Sequence, residues 1–118
     1  MISWFRRIWG AIVGWLTGKQ KRHTAFTGVV FLAADVDPAG ELRQRKLVLI
    51  GSREKAKWLR FECPCKCGEV IALNLMASHT PRWSVELHDD GTVTVHPSVD
   101  ATNCRSHFWI RRSRIDWV

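Results

Sequence analysis

Four cysteines constrain this chain more than any other feature of its sequence. They fall in two short segments, Cys63-Pro64-Cys65-Lys66-Cys67-Gly68 and Cys104-Arg105-Ser106-His107, with 36 residues between Cys67 and Cys104. Cysteines one residue apart do not easily bond each other in unstrained disulfide geometry, so the spacing favours reduced thiols serving as ligands. Three alternating thiols answered by a Cys and a His at i and i+3 are what two ligand-bearing loops of a tetrahedral metal site require. Pro64 and Gly68 mark the first segment as a turn whose backbone N–H groups can face sulfur. Cys63, Cys65, Cys67, Cys104 and His107 are thus five candidates for four positions. A Cys₃His set comes first. An all-cysteine set, with His107 donating a hydrogen bond to sulfur, comes second. Soft ligands in tetrahedral number favour zinc, with a Rieske-like [2Fe–2S] cluster as the alternative.

Such a cross-link matters because the chain has only 118 residues, enough for a single modest core. The formal net charge of +7 is unevenly placed. Residues 1–23 carry Arg6, Arg7, Lys19, Lys21 and Arg22 and no acid, leaving 13 basic against 11 acidic residues in the remainder.

That basic segment has helical periodicity. At about 100° per residue, Trp4, Phe5, Ile8, Trp9, Ile12, Trp15 and Leu16 share one arc, while Ser3, Arg6, Arg7 and Thr17 lie on the other. The composition suits a helix lying in an anionic membrane surface or docking on protein. Gly10, Gly14 and Gly18, at spacing four, would let a second helix approach closely. A secretory signal is a third reading, but no small-x-small cleavage site follows. The uncharged run after Arg7 is about half the roughly 20 residues a spanning helix needs.

From residue 24 the period becomes that of strands. Strands are expected over residues 27–33, 42–50, 57–62, 69–75, 83–88, 92–96, 108–111 and 114–118. Residues 35–40 read as a loop, 52–56 as a polar, helix-like turn, and Asp89-Asp90-Gly91 as a hairpin turn. The expected architecture is mainly β: a small antiparallel sandwich or partly open barrel, pinned by the metal site and preceded by the amphipathic helix. The division is 1–23 for the helix and basic tail and 24–118 for the metal-binding β domain.

Other chemistry is thinner. Ser106-His107 and His96-Pro97-Ser98 invite a nucleophile-and-base reading with Ser98, Ser106 and His107 as candidates. Near neighbours in a strand seldom point at each other, however. Arg105, Arg111, Arg112 and Arg114 lie among Phe108, Trp109 and Trp117. With the aromatics expected to face the core and the charges to face water, nucleic acid is not an expected partner.

Over residues 58–118 the chain resembles a bacterial domain family of unknown function whose pattern reads roughly CPCGCGE, then W-S, DG-x-V-x-x-x-PS, and C-x-SHFWI. Here the matching residues are Cys63-Pro64-Cys65-Lys66-Cys67-Gly68-Glu69, Trp83-Ser84, the run from Asp90-Gly91 to Pro97-Ser98, and Cys104 to Ile110. Lys66 stands where Gly is commoner. The resemblance implies a metal-binding protein encoded beside bacterial ubiquitin-like conjugation genes, some of them linked to phage defence. It implies protein partners too: a ubiquitin-like protein or its conjugating enzymes. The expectation is a cytoplasmic accessory or adaptor, peripheral at the inner membrane if the first helix binds lipid. Its rivals are a small peptidase that removes a ubiquitin-like protein, and an iron–sulfur electron carrier.

Overall fold

The computed structural model describes residues 24–118, so the expected N-terminal helix, with Trp4, Phe5, Ile8, Trp9, Ile12, Trp15 and Leu16, lies outside the described residues. Among the described residues, eight strands form two four-stranded sheets. Sheet 1 contains β1 (Gly28–Leu32), β2 (Lys46–Gly51), β3 (Ala56–Glu62) and β4 (Val70–Asn74), in that spatial order. Sheet 2 contains β5 (Ser84–Leu87), β6 (Val93–Ala101), β7 (Ser106–Arg111) and β8 (Arg114–Trp117), also in order. The mainly β sandwich expected from the sequence is what the chain adopts.

The antiparallel expectation has one exception: β1 and β2 run parallel. Parallel neighbours need a crossover, and residues 33–45 supply it with a short helix, α1 (Ala39–Arg43). The residues from Leu42 to Arg45, expected as the start of a strand, are instead the end of α1 and its exit turn. Asp37 Oδ1 accepts the Ala39 N–H at 3.0 Å, and Arg45 takes a φ of 59° as the chain turns into β2. Leu42 packs on Val48 and Ile50, covering part of the outer face of sheet 1. That is why Leu47, Val48, Leu49 and Ile50 are all buried, where a half-covered strand would alternate. Residues 52–55 turn without forming a helix.

The main core lies between the sheets. Leu47, Leu49, Leu59, Phe61 and Leu73 meet Val93, Val95, Val99, Phe108, Ile110 and Ile115. Phe61, fully buried, sits edge-on to Phe26 at 5.3 Å and to Phe108 at 6.1 Å between ring centroids. Phe26 gets there because residues 24–26 pair along β8, with Phe26 N–H on Ser113 O and Ile115 N–H on Thr24 O, both at 2.9 Å. The next residue, Thr27, bonds Arg45 at the start of sheet 1. One side of the sandwich is thereby laced together.

Sheet 2 has a large irregularity. Val95 pairs with Ile110 and Val99 with Phe108, so four steps along β6 match two along β7. The surplus is taken up around His96, Pro97 and Ser98 as a β-bulge, a device that bends a strand and re-aims its side chains. Strand β6 therefore continues to Ala101, past the Pro97 at which a regular strand would be expected to end.

Candidate functional site

The cysteines converge at one end of the sandwich. Residues 63–69 connect β3 to β4, and residues 102–105 connect β6 to β7. The Cys63 N–H bonds Glu69 O at 2.8 Å, closing the first loop, and the Lys66 N–H bonds Cys63 O at 3.1 Å within it. Lys66 and Gly68 have φ of 68° and 86°. The left-handed conformation at Lys66 is one that glycine adopts more readily than other residues. Across the gap, Asn103 Nδ2 donates to Glu69 Oε1 at 2.6 Å.

All four sulfurs lie within 4.8 Å of one another and none is in a disulfide. Cys63 Sγ is 3.3 Å from Cys65 Sγ and 3.5 Å from Cys104 Sγ. Four thiolates around one zinc at about 2.3 Å would stand roughly 3.8 Å apart, so the donor set fits a tetrahedral ion with little movement. Three of the four thiols have shifted acidities. Burial pushes the Cys63 thiol far up, and its hydrogen bonds to Cys65 and Cys104 add to this. Burial also raises Cys65, but hydrogen bonds from Ser106, Cys63, Cys67 and Cys104 outweigh it and bring the thiol down to about 6. At Cys67 the Glu69 backbone N–H lowers the value, yet burial and bonds to Cys65 and Cys104 leave it raised.

His107 is not in this cluster. Its Nε2 lies 2.8 Å from Ser98 Oγ, so the structure groups four cysteines where a Cys₃His set was the first expectation. The side chain that bonds sulfur is Ser106, whose Oγ is 3.3 Å from Cys104 Sγ. Ser106 is also buried, with 4% of its surface exposed, which removes it as an accessible nucleophile. The alternation of β7 decides both roles. Ser106, Phe108 and Ile110 point inward, whereas His107, Trp109 and Arg111 point outward.

Neither Ser106-His107 nor His96-Pro97-Ser98 forms a Ser–His contact within itself, and the neighbour contact that does form, Ser78 Oγ to His79 Nδ1 at 2.9 Å, lies on the exposed loop after β4. The contact of Ser98 with His107 is made between strands, from the bulge of β6 to β7. Asp100, two residues beyond Ser98, is the register partner of His107, and such partners share a face. The Ser98 carbonyl accepts the indole N–H of Trp83 at 3.3 Å. Beside the pair a cavity of about 390 Å³ is lined by Arg82, Trp83, Ser84, His96, Pro97 and Trp109. Trp109 thus faces outward, with Arg111 stacked at 4.7 Å from its ring centre, and not into the core as expected; Phe108 and Ile110 already fill the inner side. Trp117 does pack on the core, edge-on to Phe108 at 5.5 Å.

The loop that carries Arg82 and Trp83 is organised by Asn74, which is nearly fully buried. Its Nδ2 reaches the carbonyls of Met76, His79 and Pro81 at 3.1–3.2 Å, and its Oδ1 accepts the Met76 N–H at 3.0 Å. Asn74, Trp83 and Asp100 are parts of the site that the sequence reading missed. Asp100 had a signal: it lies at i+2 from Ser98, which matters once β6 runs through Pro97.

Over residues 34–118 the chain matches a family described as bacterial ubiquitination-like system serine protease (BubE). No curated protein and no solved structure matches it.

Proposed function

The chain belongs to this BubE family of bacterial ubiquitination-like systems, and from that premise we propose that it is a serine peptidase acting on a ubiquitin-like protein, as a conjugate or a precursor. Ser98 is the nucleophile and His107 the general base. The observation that carries this reading is the 2.8 Å contact between Ser98 Oγ and His107 Nε2 on the solvent-facing side of sheet 2. It supports a hydrolase over the non-catalytic adaptor expected from the sequence, since an adaptor has no need of an accessible Ser–His pair.

The steps follow from that contact. With its Nε2 unprotonated, His107 takes the hydroxyl proton as Ser98 Oγ attacks the scissile carbonyl carbon. The imidazolium then gives that proton to the leaving amine as the C–N bond breaks. Water, deprotonated by the same imidazole, hydrolyses the resulting ester and restores Ser98. Asp100, the register partner of His107, lies on the same face of sheet 2. Trp83 steadies the Ser98 backbone, and the cavity at Trp83 and Trp109 receives substrate beside the reacting bond.

Zinc held by Cys63, Cys65, Cys67 and Cys104 is the structural part of the proposal. Four thiolates would fill a tetrahedral site, so a bound ion would supply cross-linking and no chemistry of its own. It would join the β3–β4 loop to the β6–β7 loop, and β7 begins two residues after Cys104. The cluster therefore anchors the strand that presents His107.

The test is incubation with the ubiquitin-like protein of the same system fused at its C-terminus to a reporter. The expected result is release of the reporter by the wild type and by Ser106→Ala that retains its metal. In Ser98→Ala and His107→Ala the rate falls by at least about 10⁴-fold. Full cleavage by Ser98→Ala would remove the reading.

A further inference from the structure

Strand β5 forms one edge of sheet 2, so its outward backbone groups pair with no strand among the described residues. The surface beside it is hollowed along its whole length. The cavity of about 390 Å³ near the Ser–His pair adjoins a groove of about 690 Å³, the two sharing Arg82, Trp83 and Ser84. That groove adjoins a hollow of about 270 Å³ at the β5–β6 turn, with Phe31, Arg53 and Leu87 in common. One trough therefore follows β5 from the hairpin tip to the neighbourhood of Ser98.

Its lining has two chemistries. Phe31, Leu49, Leu75 and Val85 make an apolar floor, and Leu87 stands half exposed beside them. The rim of the central groove carries Arg53, Lys55, Lys57 and Arg82 against a single acid, Glu54. An open strand edge over an apolar floor is the usual setting for strand addition, in which the backbone supplies affinity and alternate side chains supply selectivity. The charge of the rim selects the occupant. A second copy of this chain, paired edge to edge, would bring two positive rims together. The chain's own N-terminal segment is also basic, with five Lys and Arg and no acid in residues 1–23.

We infer that the trough docks an extended peptide segment in which acidic residues alternate with apolar ones, added as a strand to β5 and leading towards Ser98. The apolar side chains face the floor and the carboxylates face the Lys–Arg rim. Docking stands independently of catalysis; only delivery of the segment to Ser98 rests on the peptidase reading.

The experiment is fluorescence anisotropy on the full-length Ser98→Ala chain, which keeps the trough and removes cleavage. The probe is a fluorescein-labelled peptide of about ten residues, longer than the roughly 13 Å spanned by β5, alternating Asp with Leu or Phe. Controls are the same peptide with Lys for Asp and one N-methylated at alternate amides. Binding of the Asp peptide is expected, about tenfold weaker once Lys55→Glu, Lys57→Glu and Arg82→Glu are combined. It also weakens with added salt and with N-methylation. All three substituted side chains are exposed, and metal content checks that the variant is folded. Equal binding of the Asp and Lys peptides, absence of binding, indifference to the triple substitution, or self-association through this edge in sedimentation would each overturn the inference. If the Asp peptide docks and the wild type cleaves neither it nor the fusion protein, the peptidase reading fails and the docking surface stands.

Discussion

Ser98 and His107 are nine residues apart in sequence and meet across β6 and β7, beside the bulge at which the register shifts by two residues. Sequence periodicity reports which face a side chain occupies, and it does report that Ser106 and His107 point opposite ways. It does not report cross-strand register through an irregularity, which is why two of the three candidate residues were legible only as neighbours and never as a pair. The cysteines were legible for the opposite reason: short-range spacing and ligand chemistry suffice to gather them, whatever strands lie between. Asp100 supplies a residue-scale prediction. Exposed charge pairs are worth at most about 1 kcal/mol, or about fivefold in rate. Asp100→Asn should therefore lower kcat/KM by no more than about fivefold with KM little changed, as measured by reporter release. A loss near that of Ser98→Ala would mean that Asp100 has a part in proton transfer as well.

At the scale of elements, the hairpins were readable because their turns are coded locally, whereas the β1–α1–β2 crossover was not. Asp37-Pro38-Ala39-Gly40 reads as a loop, and the apolar run of β2 gives no sign of which neighbour it pairs with. The buried outer face of β2 is the trace the helix leaves: Val48 and Ile50 are apolar because Leu42 covers them. The β5–β6 hairpin shows local coding at work. Asp90 accepts hydrogen bonds from the Thr92 hydroxyl at 2.6 Å and the Thr92 N–H at 3.0 Å, and these hold its carboxyl below the usual carboxylate range. A value depressed on folding means stabilisation that is present above the unfolded value, 3.8, and lost as pH falls through the folded one. The Thr92 amide should thus become less protected from hydrogen exchange as the pH is lowered through that range, and Asp90→Asn should remove most of this pH dependence. Unchanged acid sensitivity in the variant would place its origin elsewhere.

For the whole molecule, the cysteine cluster is the link between the last turn of sheet 1 and the β6–β7 turn of sheet 2. The opposite side is closed by residues 24–26 along β8. A domain of this size is stable by about 5–15 kcal/mol, and a structural zinc site contributes an amount of the same order. Chelation should therefore lower Tm by about 20 °C or more and abolish reporter cleavage in parallel, with zinc restoring both. Loss of metal with activity retained would separate the cluster from the Ser–His pair. The β sandwich and its cysteine pin could be expected from the sequence, whereas the Ser98–His107 contact could not, because it depends on how β6 pairs with β7.

The central claim, that Ser98 is an activated nucleophile, is tested most directly by treating the intact protein with a fluorophosphonate and locating the adduct by mass spectrometry. One adduct is expected on Ser98, absent in His107→Ala and retained in metal-loaded Ser106→Ala. An unlabelled protein, or an adduct that persists in Ser98→Ala, would contradict it.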